Sequence, residues 1–447
     1  MNDHALSSDF LDGLQRETFD YFVHEANPLN GLIADKTQAG SPASIAAVGF
    51  ALSSYPVGVE RGFMPRADAI ARTLATLRFF HTSDQSAGVD ATGYKGFYYH
   101  FVDMVSGRRV WKCELSTIDS AILLAGMLTI AAYFCGDGED EREIRVLADA
   151  LYLRADWNWA RNGGLTVIHG WKPESGFLRY RWQGYCEAMI LYLLGLGSPT
   201  HPLPRESWAR WTSTYDWRTI YDYELLYAGP LFIHQFSHIW IDFREIQDDF
   251  MRGKGIDYFE NSRRATHVQR RYTIDNPSDF SAYDENSWGF TASDGPGPAT
   301  YMINGIKRRF FGYKARGAPY GPDDGSIAPW AVAASLPFAP EIVQPSLTHF
   351  ETLELRENDG YGFKATFNAT MAERSGSSRL WVSPFHFGIN QGPMLLMLEN
   401  YRTGLIWNLI RRRCAYLVVG LRRAGFSGGW LGAENLAAET DRECNDL

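Results

Sequence analysis

Glu187 lies in Arg181-Trp182-Gln183-Gly184-Tyr185-Cys186-Glu187-Ala188-Met189-Ile190-Leu191-Tyr192-Leu193-Leu194, a carboxylate carried into an otherwise apolar stretch. Just after Gly184 and Tyr185, it is expected in the first turn of a helix, where the positive end of the dipole favours a carboxylate. Trp182 and Tyr185 flank it as candidate stacking rings. Flat aromatic faces suit the C–H face of a pyranose, and a dry surround raises a carboxylic acid towards neutrality. The pattern points to a general acid, although a first-turn Glu also stabilises its own helix with no further role.

An acid that protonates a leaving oxygen needs a companion to activate water. Three other stretches offer one. Glu114 and Asp119 open the apolar segment Trp111-Lys112-Cys113-Glu114-Leu115-Ser116-Thr117-Ile118-Asp119. The loop from Tyr283-Asp284-Glu285-Asn286-Ser287-Trp288 to Asp294-Gly295-Pro296 combines three carboxylates with a tryptophan. Asp323-Asp324-Gly325 is the third. Glu285, among Tyr283, Asn286 and Trp288, is the expected base; Trp288, Asp294 and Asp324 are expected at the same mouth. His238, within Ser237-His238-Ile239-Trp240-Ile241-Asp242, reads as a base or ligand, or as a hydrogen-bonded packing residue. Glu399, Tyr401 and Arg402, near Asn390-Gln391-Gly392-Pro393, offer polar groups to a sugar hydroxyl, or form a helix cap with a salt bridge. Phosphate-cradle, dinucleotide, zinc-protease and nucleophile-elbow patterns are missing, so neither a cofactor nor a metal is expected.

Composition narrows the partner. Aromatic residues make up 14% of the 447, with 14 Trp and 23 Tyr, more rings than a core needs. A net charge of −9 argues against nucleic acid, whose binding rests on Lys and Arg contacts to phosphate. A neutral glucan or oligosaccharide is the simpler partner. The longest apolar run, Ala121 to Cys135, is shorter than a bilayer span, so no membrane is expected. Cys113, Cys135, Cys186, Cys414 and Cys444 are scattered, with no disulfide framework or zinc site in view. No signal peptide is visible; the chain as written reads as cytoplasmic, or periplasmic if a leader was removed. A monomer or weak homo-oligomer is expected.

The positioning elements follow from apolar spacing. Helices are predicted from Ser8, as cap, to Val23, then over 44–52, 66–80, 114–134, 141–154, 205–213, 224–236, 245–269, 299–306, 326–335, 341–353, 392–398 and 401–412, beside the Glu187 helix ending near Gly197. Long loops rich in Gly, Pro and Trp at 157–184, 275–298, 307–325 and 354–391 suit a functional surface. Helices alternating with aromatic loops predict an all-α (α/α)6 toroid, a barrel whose loops meet over one mouth, in a single domain spanning 1–447.

The run Gly184-Tyr185-Cys186-Glu187-Ala188-Met189-Ile190-Leu191-Tyr192 to Leu196-Gly197-Ser198-Pro199-Thr200-His201 resembles the glycoamylase-like domain family. The likeness continues through Ser237–Arg244, Glu285–Pro296, Asp323–Pro329 and Glu399–Gly404, covering about Phe10 to Leu409. That family includes bacterial endo-β-1,2-glucanases and the cyclising domain of cyclic β-1,2-glucan synthases. The resemblance implies an (α/α)6 toroid, an acid at Glu187, and cleavage of β-1,2-linked glucan to short oligosaccharides by an inverting, endo-acting hydrolase. Exo action, transglycosylation and a catalytically silent glycan-binding protein stay open.

Overall fold

In the computed structural model, which describes residues 7–356, 360–373 and 380–432, five helices are buried along nearly their whole length: Ile45–Glu60, Thr117–Tyr133, Met189–Gly197, Pro329–Ala333 and Gly388–Arg402. Apolar on every side, such helices have no seat at a surface and go to the middle. The Ile45 helix packs against the Thr117 and Gly388 helices, the Thr117 helix against the Met189 helix, and the Pro329 helix against the Gly388 helix. Two 3₁₀ turns, Leu231–His234 and Ser237–Ile239, bridge the remaining gap. Ser237 Oγ accepts from the Ile190 N–H at 3.1 Å, while Gln235 Nε2 donates to the Ala331 carbonyl at 2.6 Å. The helices Ser8–His24, Arg66–Thr82, Glu139–Arg154, Tyr258–Asp275 and Pro340–Thr352 each bury one stripe from outside. One apolar core runs from Leu11 to Leu431.

The Ile45 and Thr117 helices meet backbone to backbone. A Cβ on Gly126 would lie 2.1 Å from the Gly49 carbonyl oxygen, and one on Gly49 2.4 Å from that of Ile122. Three inner helices begin directly from, or one residue after, two-residue strands: Ala43–Ser44, Leu115–Ser116 and Ser326–Ile327. Ser44 and Ser116 then serve as N-caps, each accepting a first-turn N–H. Leu115–Ser116 is central in a five-stranded antiparallel sheet with Gly93–Tyr94, Phe97–Tyr99, Gly170–Lys172 and Gly176–Phe177. These ladders tie the loops down at the N-terminal ends of the inner helices.

Several expectations are corrected. The segments 224–236 and 299–306 are not helices. The first holds the end of the hairpin Trp217–Ile220/Tyr223–Leu226 and then a 3₁₀ turn; the second is the hairpin Ala299–Ile303/Ile306–Phe310. Asn304 and Gly305 turn it with φ of 51° and 78°, the pair of positive φ values a tight hairpin turn demands. The 245–269 helix breaks at Gly255 (φ 72°) into Asp249–Lys254 and Tyr258–Asp275. The 44–52 helix runs on past Pro56 to Glu60, the first helix is capped by Ser7, and an Ala415–Arg423 helix was not foreseen. Cys113, Cys186 and Cys414 are free thiols, whereas Cys135 is disulfide-bonded, against the expectation; Cys444 lies outside the described residues. Among the described residues no helix is long and apolar enough to cross a membrane.

Gly126→Ala should lower thermal stability by about 1–3 kcal/mol, the usual cost of overpacking, because neither backbone can retreat without opening the core. A melting temperature equal to the parent's would show that the two helices are free to part.

Candidate active site

A cavity of about 620 Å³ opens at the N-terminal ends of the inner helices. Asp35, Glu114, Asp119, Glu187 and Asp294 supply its carboxylates, and Lys36 and His100 its cations. Trp182, Tyr313, Phe387 and Trp330 give it aromatic walls. Trp182 stacks on His169 at 3.7 Å and donates its Nε1–H to Thr117 Oγ1 at 3.0 Å, so its ring is fixed in place.

Glu187 stands two residues before the Met189–Gly197 helix, on the turn that follows Gly184 (φ 75°), and not within the first turn as expected. Ser237 ties down this turn by donating to the Glu187 carbonyl at 3.5 Å. Burial raises the Glu187 carboxyl to about 7, its own N–H lowers it somewhat, and the negative Asp119 pushes it up. No cation is among the causes. Glu114 is the opposite case. His100 Nδ1 sits 3.0 Å from its Oε1, and that hydrogen bond holds the carboxyl down at about 2 despite burial.

His100 also lies 3.7 Å, by Nε2, from Asp119 Oδ2. Burial alone would push the imidazole down, but Asp119, Glu114 and Asp35 outweigh it and raise it to about 9. Asp119, in the first turn of its helix, accepts a hydrogen bond from the Ser116 hydroxyl. Burial carries Asp35 up to about 6, against the pull of His100 and Lys36, with Asp119 adding to the rise. Tyr313 lines the cavity with 55% of its surface exposed. Burial, then Asp35, Asp119, Asp294 and Glu187 in turn, raise its hydroxyl's pKa. Asp294 accepts from Ser383 Oγ at 2.8 Å. Asn390, 1% exposed in the first turn of the Gly388 helix, lines the cavity with both amide atoms unpartnered.

Of the residues named from sequence, Glu187, Glu114, Asp119, Trp182 and Asp294 are thus brought together. The others are not. Glu285 is turned outward, 64% exposed, and caught by Arg270 of an outer helix at 3.1 Å. Trp288 is fully buried with its Nε1 on Ser346 at 2.8 Å, a core ring. Asp324 is sealed against Arg316 at 2.6 and 2.8 Å. Tyr185 packs among Tyr215, His234 and Tyr258 behind the Glu187 turn. His238 is a packing residue, bonded to Ser262 at 3.1 Å and lowered to about 3 by burial. Glu399 meets Arg61 at 2.8 Å, Tyr401 meets Gln344, and Arg402 meets Asp12, all at the C-terminal end of the Gly388 helix. That end is about 13 Å along the axis from Asn390.

Asp35, His100 and Tyr313 were missed. Asp35 carried a legible signal, since Leu32-Ile33-Ala34-Asp35 runs an acid into an apolar stretch just as Glu187 does. His100 was hidden among Tyr98, Tyr99 and Phe101.

A mostly helical body with acids and flat rings around one cavity defines a protein built to hold a polyhydroxylated ligand and shift protons on it. The family described as "Putative glucoamylase" matches residues 179–414, more than half of the chain, and the chain belongs to that family. It is 27% identical over 439 residues to an exo β-1,2-glucooligosaccharide sophorohydrolase (non-reducing end) of Parabacteroides distasonis, covering 89% of this chain and 55% of the relative. The chain therefore spans about half the length of that curated relative. Among solved structures, a "putative glucoamylase" of Bacteroides uniformis superposes with a TM-score of 0.84 at 31% identity, covering 96% of this chain and 100% of that one. An endo-β-1,2-glucanase of Chitinophaga pinensis superposes with a TM-score of 0.81 at 26% identity, covering 95% and 99%.

The raised Glu187 fixes a sign for stability. Its carboxyl is neutral in both states below about pH 4.5; as pH rises towards 7 the unfolded chain ionises first, so folding loses stability across that window. Glu187→Gln, always neutral, should match the parent near pH 4 and exceed it above pH 7 by up to about 3 kcal/mol. Melting curves at the two pH values test this; a variant less stable at pH 8 would mean the carboxylate is held by a cation.

Proposed function

We propose that this chain is a glycoside hydrolase that cleaves β-1,2-linked glucan to short oligosaccharides, with Glu187 as general acid. The observation that carries it is a ring-walled cavity lined by two buried carboxyls, one raised to about 7 and one to about 6. Glu187 keeps a proton to give to the leaving oxygen at neutral pH, while Asp35 has already lost its own and serves as base towards water. Glu114, held ionised by His100, is too acidic to take that proton and instead anchors the imidazole. Asp119, in the first turn of its helix and lining the cavity, is placed to face the positive charge that builds at the anomeric carbon. The names of the relatives from Parabacteroides distasonis and Chitinophaga pinensis support the linkage, one as an exo and one as an endo enzyme. The order in which the inner elements pack supports an (α/α)6 toroid formed by one catalytic body.

Incubation with linear β-1,2-glucan, laminarin, cellulose oligomers and starch should release short products from the first alone. Glu187→Gln should lose at least 10²-fold in kcat, the scale of general acid catalysis. Asp35→Asn should lose as much and recover with azide, whereas Asp119→Asn should not recover. A wild type that leaves β-1,2-glucan intact refutes the reading.

The same two groups set the pH profile. The curve of kcat/KM should fall on the acid side near pH 6, as Asp35 takes a proton, and on the alkaline side near pH 7, as Glu187 loses one. Replacing His100 by glutamine removes a positive charge that lowers Asp35, so the acid limb should move up and the bell narrow. An unmoved acid limb would release Asp35 from the role of base.

A further inference from the structure

The rim of the cavity carries a ring that the folding of the chain does not account for. Trp111 lines the cavity yet is 67% exposed. Trp111 and Lys112 both hold left-handed backbone, with φ of 55° and 50°, a conformation that residues with a Cβ adopt only at a cost. Such strain persists where the surroundings impose it, and is characteristic of ligand clamps.

Here the surroundings do impose it. Arg109, with 1% of its side chain exposed, donates to the Cys113 carbonyl at 2.6 Å and the Val89 carbonyl at 3.2 Å, and pairs with Glu174 at 2.7 Å. Lys172 Nζ donates to the Lys112 carbonyl at 2.9 Å. The turn is thus pinned from behind, and the indole projects from it. Phe101 meets Trp111 at 5.2 Å, and Phe101 in turn stacks on His100 at 4.0 Å with an interplanar angle of 13°. Through these rings the exposed Trp111 is linked to His100 in the acid cluster. Trp182, by contrast, has one face covered by His169 and its N–H bonded.

We propose that Trp111 is a stacking platform for a glucosyl unit lying outside the acid cluster, a subsite by which the protein reads chain length. The inference rests on the β-1,2-glucan reading above. An indole face offers area and polarizability to the C–H face of a neutral sugar and gives nothing to an anion, so the ligand class is an uncharged glycan. Substrates long enough to reach the rim gain the contact, and short ones do not. Arg109 is a positioning residue, because it holds the turn through the Cys113 carbonyl and does not itself line the cavity.

The test measures kcat and KM on β-1,2-gluco-oligosaccharides of increasing, defined length for the parent, Trp111→Ala and Trp111→Phe. Trp111→Ala should raise KM on long chains by about five- to tenfold with kcat retained, the scale of one aromatic pair. The advantage of long chains over short ones should shrink, and Trp111→Phe should recover part of it. Calorimetric binding of a long chain to Glu187→Gln, with and without Trp111→Ala, gives a second readout free of turnover, and melting curves should stay at the parental value. If the parent cleaves β-1,2-glucan and Trp111→Ala keeps the parental length dependence, the subsite falls and the hydrolase reading stands. An equal rise of KM at every length, or a collapsed melting temperature, also overturns the subsite by making Trp111 structural. If the parent neither binds nor cleaves the glucan, both fall.

Discussion

Everything in this molecule depends on how closely its inner helices approach. Gly49 and Gly126 let the Ile45 and Thr117 helices touch backbone to backbone, and Gly197 and Gly420 do the same for the Met189 and Ala415 helices, where a Cβ on either would lie 2.0 Å from a carbonyl oxygen. Close approach gathers the helix N-termini around one small space. Five carboxylates from separate elements then share a cavity of about 620 Å³. Carboxylates that close would repel strongly if all were charged, so some must keep their protons or find a cation.

His100 divides them. Its imidazole is bonded to Glu114 and near Asp119, and is itself kept positive by those acids. Glu114 gains the proton donor and falls to about 2; Glu187 gains none and rises to about 7. Two glutamates in one cavity are thereby set some five pH units apart, which separates a fixed anion from an acid able to give up its proton near neutrality. Asp35 falls between them because burial wins over the more distant pull of the same imidazole and of Lys36.

Part of this was legible in the sequence. An acid run into an apolar stretch marks Glu187, and the same mark on Asp35 went unused. Asp119 declared itself by lying among apolar residues at a helix start. Glu285, Trp288 and Asp324 misled because a loop dense in acids and rings looks alike whether it faces a cleft or folds on itself. What decides is a partner that the loop's own composition does not reveal: Arg270 for Glu285, Ser346 for Trp288 and Arg316 for Asp324. The buried Thr117 helix was readable from its long apolar run, whereas the hairpin at Asn304-Gly305 is predicted as a helix although its turn pair marks it. The 3₁₀ bridge at 231–239 was not, because it is held by Ser237 and Gln235 bonds to helices far along the chain.

The two ends of one helix show why the cleft lies where it does. Glu399, near the C-terminal end of the Gly388 helix, faces the negative pole and is tolerated only with Arg61, Gln15 and Thr403 all donating to it. At the N-terminal ends the positive poles of several helices favour negative charge without a side-chain cation. Glu187 there keeps its carboxyl free of any salt bridge, while Glu114 and Asp119 share the single imidazole of His100. Chemistry needs groups that are charged or protonated but not already paired: at this end of the inner helices the positive poles favour the charged ones, and burial keeps Glu187 protonated.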